Sequence, residues 1–160
     1  MSIHSLNQLP LTLRAARKSD VRTQFAALCF RIVKDKPQIL LVTSRGSKRW
    51  ILPKGWPMTG ATPAEAAETE AWEEAGVKGR VFGLCIGLYS YLKESDDGPD
   101  LPCVACVYPV KVKSLAEDYP EAGQRKRVWV SPKKAARMVA EPELRQILRS
   151  FDPKILRGQS

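Results

Sequence analysis

Residues 55–77 read Gly-Trp-Pro-Met-Thr-Gly-Ala-Thr-Pro-Ala-Glu-Ala-Ala-Glu-Thr-Glu-Ala-Trp-Glu-Glu-Ala-Gly-Val, a glycine-bearing loop that runs into one short helix. Thr62 is a residue type that caps a helix start, Pro63 suits the first helical position, and Glu65 completes a capping box. Gly76 follows the last turn and is typical of a helix end. The stretch therefore predicts a helix that begins after Thr62 and ends before Gly76.

Three glutamates of this helix, Glu70, Glu73 and Glu74, are spaced so that their carboxylates share one face. Adjacent like charges repel, so such a face gains stability only when a cation lies among the carboxylates, and Mg²⁺ prefers oxygen ligands. A short acidic helix that simply faces water is the alternative. The small Ala66 and Ala67 beside the carboxylates, the preceding glycine loop and the basic chain favour a site for metal and phosphate.

The whole chain has 160 residues, of which 44% are hydrophobic, and a formal net charge of +9. This length suits one globular domain with a core, and the charge favours a polyanionic partner such as nucleic acid, a membrane surface or a small polyphosphate. No apolar run reaches the roughly 18 residues of a membrane span, and the first twenty residues lack the apolar core of a signal peptide. We therefore expect a cytoplasmic protein without a membrane partner.

All four cysteines, Cys29, Cys85, Cys103 and Cys106, lie in apolar segments typical of strands. Cys103 and Cys106 have the spacing of a metal or redox pair. In a strand, however, these two positions point to opposite faces, so their sulfur atoms would diverge. We expect all four to be structural residues of the core.

The rest of the chain predicts a mixed sheet between helices, in the α/β (α+β) class, because strand-like and helix-like segments follow one another. Gly83 and Gly87 suggest bulges or close backbone approach. The expected elements are strands over residues 22–33, 38–43, 80–92, 102–112 and 128–130, a turn over 34–37, a polar hairpin loop over 93–100, and a helix capped by Ser131, followed by a core-facing stripe of Leu144, Ile147, Leu148 and Phe151.

Residues 55–77 also resemble the Nudix box, the pattern Gly, five residues, Glu, seven residues, Arg-Glu-aliphatic-x-Glu-Glu-x-Gly-aliphatic. Two positions differ: Ala61 replaces the first Glu of the family and Thr69 replaces its Arg. In the family these two residues form an ion pair that braces the loop against the helix. Because both partners of the ion pair are replaced together, no charge is left without a partner. We therefore expect the loop to be braced against the helix by other contacts and catalysis to be retained. The residues in register with the box are Gly55, Glu70, Glu73, Glu74, Gly76 and Val77.

The resemblance implies an α/β/α Nudix sandwich in which the box helix packs on a curved mixed sheet. We expect an irregular arm over residues 1–21, a single Nudix domain over 22–152 and a tail over 153–160.

Outside the box the chain is similar to the diphosphoinositol polyphosphate phosphohydrolases and to relatives that cleave diadenosine polyphosphates. The similar segments lie within residues 22–150 and are 27–31, 40–45, 49–53, 73–79 and 123–127. Arginine forks and free backbone N–H groups recognise phosphate oxygens. The resemblance implies that the substrate is held by Arg22, Ser44, Arg45, Lys54, Gly55 and Arg125.

The resemblance also implies a metal-dependent pyrophosphohydrolase that uses Mg²⁺ or Mn²⁺. The carbonyl of Gly55 and the carboxylates of Glu70, Glu73 and Glu74 would hold the metal, and Glu70 or Glu73 would take a proton from the attacking water. Some members carry a further acidic ligand or base beyond the box. The candidates by position are Glu94, Glu117 and Glu121.

Two alternatives stay open on the sequence. Ala61, Thr69 and the basic composition also suit a catalytically weakened Nudix module that binds a nucleotide or nucleic acid as a sensor. The chain has no readable helix-turn-helix, zinc finger or RNA-binding aromatic motif, which favours a small polyphosphate over nucleic acid. Trp56 is either a stacking surface for an adenine or a packed anchor of the loop.

Overall fold

The computed structural model describes residues 8–11, 21–93 and 98–159. Its elements, in chain order, are β1 (Arg22–Val33), β2 (Lys36–Thr43), β3 (Trp50–Ile51), β4 (Lys54–Gly55), α1 (Pro63–Ala75), β5 (Val77–Val81), β6 (Gly87–Lys93), β7 (Leu101–Leu115), β8 (Arg127–Val130), α2 (Pro132–Met138), α3 (Pro142–Arg149) and a 3-10 helix (Pro153–Leu156).

One mixed sheet joins all the strands in the order β3-β2-β1-β7-β5, and β4, β6 and β8 pair with β1, β7 and β2. Strand β1 runs parallel to β7 and antiparallel to β2 and β4. The expected hairpin between β1 and β2 is confirmed, with a tighter turn than predicted. Only Lys34 and Asp35 form it, both with positive φ, as a two-residue hairpin turn requires.

Helices cover both faces of this sheet, as the sequence predicted. Strand β1 shows the division: Leu28 and Phe30 pack toward α2 and α3, whereas Ala27 and Cys29 pack toward α1. The residues of α1 that pack in the core on this face of the sheet are alanines, so the helix lies close to the sheet and carries its glutamates to the strand edge. Those alanines are Ala67, Ala71 and Ala75.

The C-terminal elements cover the second face. Ser131 caps α2 by accepting a hydrogen bond from the Lys134 N–H at 3.2 Å, as predicted. The expected apolar stripe is also confirmed, since Leu144, Ile147, Leu148 and Phe151 are buried. Residues 153–156 form the 3-10 helix, and Leu156 packs in the core.

Part of the expected arm contacts the sheet. The Gln8 side chain donates to the Leu88 carbonyl at 2.8 Å and accepts from the Leu88 N–H at 2.6 Å. Residues 1–7 and 12–20 lie outside the described residues, so the division into arm, domain and tail stays a prediction. Across the described ranges, no helix is both long and apolar enough to cross a membrane.

The expectations for Gly83 and Gly87 have different outcomes. A Cβ on Gly87 would meet the Ile147 side chain at 2.7 Å, so the expected close approach is confirmed, whereas Gly83 faces open space and that expectation is wrong. The bulge lies earlier, between Lys78 and Gly79, where the register of β5 against β7 shifts. A Cβ on Gly79 would overlap the Lys111 carbonyl and lie 3.0 Å from the Val112 Cα.

Gly79→Ala is therefore expected to destabilise the fold by about 1–3 kcal/mol, because the atoms in the way belong to the backbone of β7 and cannot rotate aside. Gly83→Ala makes the same chemical change in open space and is expected to shift stability by less than about 1 kcal/mol. Urea unfolding of both variants measures the difference. Equal midpoints would show that the bulge is not closely packed.

The expectation that all four cysteines belong to the core is confirmed for Cys29 and Cys103, which are buried, and is wrong for Cys85 and Cys106, which are half-buried. Cys29, Cys103 and Cys106 lie in strands, whereas Cys85 lies in the irregular segment between β5 and β6. Cys103 interacts with Tyr91, and Cys106 interacts with Cys85 instead of with Cys103. All four thiols are free.

Cys85 is expected to be the most reactive thiol. A hydrogen bond from the Cys106 thiol lowers the pKa of Cys85 to about 6, whereas burial raises that of Cys29 above its usual range. Alkylation of Cys85 by iodoacetamide should rise with pH through about 6 and then level off, because the thiolate is the nucleophile. Peptide mapping of the alkylated protein between pH 5 and 9 measures this profile.

Cys106→Ala supplies the control, because it removes the hydrogen-bond donor. The midpoint of Cys85 alkylation should then move toward about 8.5, the value of an unperturbed thiol. A wild-type midpoint already near that value would contradict the assignment.

Candidate active site

The helix that carries the glutamates begins and ends as predicted. The Thr62 hydroxyl accepts from the Glu65 N–H at 3.1 Å, and the Glu65 carboxylate accepts from the Thr62 N–H at 2.9 Å. Gly76 has a φ of 67° and donates its N–H to the Trp72 carbonyl at 2.9 Å. These caps fix where α1 starts, and therefore which turn presents its carboxylates to the sheet edge.

The altered box positions make local contacts. The Thr69 hydroxyl donates to the Glu65 carbonyl of its own helix at 3.0 Å, and the Ala61 N–H donates to the Met58 carbonyl at 3.1 Å. The loop therefore meets α1 through the capping box and a tight turn. An ion pair between positions 61 and 69 is not available to these side chains.

Glu70 and Glu74 form the centre of the site. Their carboxyl groups share a hydrogen bond. The pKa of Glu70 is raised, mainly by burial and next by the neighbouring Glu74. Burial also raises the pKa of Glu74, against the pull of Arg125 and Lys54. Two acids that share a proton in this way offer oxygens that a cation would hold apart and neutralise.

Gly55 and Glu73 border this pair. The Glu70 carboxylate occupies the space that a Cβ on Gly55 would need, so a side chain there would displace it. Glu73 is half-buried and adds its charge to the field on Glu70. The donor set suits a hard divalent cation by its chemistry.

In the described part of the chain, no three His, Cys, Asp or Glu side chains stand together so that they could hold a metal ion. The structure thus brings Gly55, Glu70 and Glu74 together. A ligand set that also includes the Glu73 side chain stays a prediction.

Arg125 joins the glutamates to the facing loop. Its side chain is only 8% exposed, lies 3.6 Å from the Glu74 carboxylate and donates to the Thr43 carbonyl at 3.0 Å. It also binds the Glu121 carboxylate at 3.1 Å, and that carboxylate lies 3.8 Å from Arg45. Of the three acidic candidates beyond the box, Glu121 is thus at the site, Glu117 is exposed, and Glu94 lies outside the described residues.

Arg127, which follows the same loop, has a structural role. It donates to the Ala75 and Ala116 carbonyls, both at 2.9 Å, and stacks over Tyr119 at 4.9 Å. The Ala75 carbonyl is at the end of α1, where a cation is favourable for the helix dipole.

A cleft of about 550 Å³ opens beside Glu74, and most of the charges that line it are positive. Four of the predicted substrate residues, Ser44, Arg45, Lys54 and Arg125, line this cleft. Arg22 lies outside its described lining, exposed at the start of β1 and beside Cys103 of β7. The cationic lining residues are Arg45, Arg49, Lys54, Lys93 and Arg125.

Lys54 is the most perturbed of these cations. Burial lowers its pKa to about 8, and the carboxylates of Glu74 and Glu141 oppose that shift. Its ammonium lies 5.0 Å from the centre of the Tyr91 ring, and the Tyr91 hydroxyl donates to the Gln24 side chain. A lysine held in this way can meet an anion without a large rearrangement.

The sequence did not predict the cleft residues Gln24, Tyr91 and Lys93. It also did not predict Glu141, whose charge acts on Lys54. Gln24 gave the clearest signal, because a buried polar residue in an otherwise apolar strand needs a partner. Trp56, left open above, is 39% exposed beneath the Lys93 ammonium, 5.8 Å from its ring. Because Trp56 is not among the residues that line the cleft, both interpretations of its role stay predictions.

An α/β/α sandwich with a paired-carboxylate helix beside a basic cleft agrees with the Nudix class. The model of the NUDIX domain matches residues 22–151, and the chain belongs to this family. The resemblance read from the box is therefore confirmed.

Relatives agree with this membership. The chain is 32% identical over 120 residues to Nudix hydrolase 12, mitochondrial, of Arabidopsis thaliana, covering 73% of this chain and 59% of that one. It is 33% identical over 116 residues to diphosphoinositol polyphosphate phosphohydrolase 3-beta of Homo sapiens, covering 71% and 66%. The chain thus spans less than two thirds of either relative. The C. elegans Ap4A hydrolase in a binary complex shares the fold, with a TM-score of 0.62 and 20% identity over 86% of this chain and 98% of that one.

Proposed function

We propose that this protein is a metal-dependent pyrophosphohydrolase that cleaves a diphosphate bond in a phosphate-rich small molecule. The observation that carries this proposal is the Glu70–Glu74 carboxyl pair at the edge of a cleft lined by cations. The cleft volume of about 550 Å³ is that of a small-molecule site. The names of the human and C. elegans relatives point to an inositol pyrophosphate or a dinucleoside polyphosphate as the substrate class.

The cofactor in this proposal is Mg²⁺ or Mn²⁺, held by the Gly55 carbonyl and by Glu70, Glu73 and Glu74. When bound, the metal neutralises phosphate oxygens and makes phosphorus more open to attack. Glu70 or Glu73 takes the proton of the attacking water while the water oxygen bonds to phosphorus.

The bridging P–O bond then breaks, and the leaving phosphate carries the negative charge. Arg45, Lys54 and Arg125 line the cleft where that charge develops. Fixed cations at the position of a developing charge lower the barrier, because they need no reorganisation during the reaction. Arg125 is the most rigid of the three, since carboxylates and a carbonyl hold its guanidinium.

A phosphate-release screen tests the proposal. Wild-type protein is incubated with inositol pyrophosphates, dinucleoside polyphosphates, nucleoside triphosphates and capped RNA, each with Mg²⁺, with Mn²⁺ or with EDTA. We expect metal-dependent release from one of the first two classes. Absence of release from all four classes, at any metal, would refute the enzyme.

The second candidate is a sensor that binds a nucleotide or nucleic acid without turnover. It is supported by the remodelled contacts of Ala61 and Thr69. Calorimetry that finds tight binding of an uncleaved nucleotide would favour it. Affinity for long RNA or DNA that falls steeply with salt would favour the nucleic-acid form.

The cytoplasmic location stays part of the proposal, and the Arabidopsis relative carries a mitochondrial name. Fractionation of cells that express the tagged protein decides between these compartments.

A further inference from the structure

Glu141 pairs with a cation of the cleft and does not cap the helix that follows it. It is the N-cap residue of α3, immediately before Pro142, yet its side chain makes no capping hydrogen bond. The residue is only 9% exposed. A buried carboxylate needs partners that offset its desolvation, and the backbone N–H of Glu141 itself supplies one hydrogen bond.

Its charged partners are two cations of the cleft. The Glu141 Oε2 atom lies 3.8 Å from Nη1 of Arg49, and Lys54 and Arg49 are the two cations whose attraction opposes the effect of burial on the Glu141 pKa. Arg49 and Lys54 line the cleft; in the chain, Arg49 comes directly before β3 and Lys54 begins β4. Glu141 thus forms an ion pair with Arg49 and attracts the charge of Lys54.

Lys54 is repelled by other cations of the cleft. Lys93 and Arg125 both act against the positive charge on Lys54, which is also desolvated. Arg49 is 43% exposed and carries a long flexible side chain, which is oriented by two contacts: its Nε donates to the Ser47 hydroxyl at 3.1 Å, and its Nη1 pairs with Glu141. The carboxylate of Glu141 therefore helps to orient the guanidinium of Arg49 and the ammonium of Lys54.

We propose that Glu141 is a positioning residue that orders Arg49 and Lys54 for binding of a polyphosphate. The inference rests on the proposed function for its ligand class. Ordering the cations before binding lowers the entropy cost of each phosphate contact. Because Glu141 acts through Arg49 and Lys54, its removal should weaken anion binding even though it removes a negative charge.

The direction in which a Glu141 substitution changes polyanion affinity distinguishes a positioning role from simple charge repulsion. A Glu141 that only repelled the ligand would give tighter polyanion binding in Glu141→Gln. Positioning predicts the opposite, about tenfold weaker binding in both Glu141→Gln and Glu141→Asp. The Asp variant keeps the charge and shortens the side chain, so it tests geometry alone.

The probe is inositol hexakisphosphate, titrated calorimetrically into metal-free protein. Glu143→Gln is the matched control: it has the same charge change at the same end of α3, but its carboxylate accepts from the Ser90 N–H at 2.9 Å. We expect the affinity of this control to match that of the wild type. Circular dichroism and urea midpoints of each variant report whether it is folded.

A double-mutant cycle completes the test. Arg49→Gln should weaken binding in the wild type but add little in Glu141→Asp, because Arg49 is already misplaced there. Full additivity, or binding unchanged or tightened in both Glu141 variants, overturns the inference. Wild-type protein that binds no inositol hexakisphosphate and releases no phosphate in the screen overturns the proposed function itself.

Discussion

Glu74→Gln should lower metal-dependent hydrolysis by at least about 100-fold, whereas Glu68→Gln should leave it unchanged. Replacing groups that only orient a metal ligand already costs about 10–100-fold, and Glu74 lies at the site itself. It is buried, it shares a hydrogen bond with Glu70, and it lies 3.6 Å from Arg125. Glu68 undergoes the same change on the same helix but faces solvent.

Two measurements belong to this prediction. Initial rates are taken on whichever substrate the screen identifies, and Mn²⁺ affinity is taken by calorimetry. We expect Glu74→Gln to lose both, and Glu68→Gln to keep both. Full turnover in Glu74→Gln would show that the acidic face of α1 is not the chemical centre.

Gly55→Ala should lower activity by about 100-fold with little loss of stability. The new methyl group would overlap the Glu70 carboxyl group and lie 2.8 Å from its Cγ. The obstacle is the end of a flexible side chain, so Glu70 rotates away while the strands stay in place. A displacement of about 1 Å in a reacting group can cost about 100-fold in rate.

The contrast with Gly79→Ala makes this prediction specific. Gly79 faces backbone and Gly55 faces a side chain, so the first substitution should cost stability and the second activity. Gly55→Ala should also add little in a Glu70→Gln background. A Gly55→Ala protein with normal rates, or one that unfolds as early as Gly79→Ala, would contradict the assignment.

The features that could be predicted from the sequence are those whose cause is local. The capping box of α1 needs residues three apart, and the β1–β2 hairpin needs a turn between two apolar runs. The carboxyl pair also follows from helical spacing within one turn. Each of these could be read without knowing which strands are neighbours.

The cleft could not be predicted in this way because its walls come from distant parts of the chain. Gln24 and Tyr91 meet only because β1 and β6 flank β7. Glu141 reaches Lys54 only after α3 folds onto the second face of the sheet. Cys85 meets Cys106 for a similar reason, since the irregular segment before β6 folds back along β7.

Glycine positions show the same limit. Gly79 and Gly83 are both glycines near the ends of strand-like runs, yet only Gly79 has backbone in the way of a Cβ. Which of the two is closely approached depends on the register of β5 and β7, and a sequence pattern does not specify that register.

The segment that carries Glu121, Arg125 and Arg127 is attached to α1 through the main chain as well as through side chains. The Glu121 N–H donates to the Glu73 carbonyl at 3.0 Å, and Arg127 binds the carbonyl at the end of the helix. By contrast, the loop over residues 44–49 is closed largely by its own serines, with Ser44 bonded to Ser47 and to the Arg49 N–H. Changes in this loop can therefore alter which molecule the cleft admits while the acidic face of α1 and the segment that carries Arg125 stay in place.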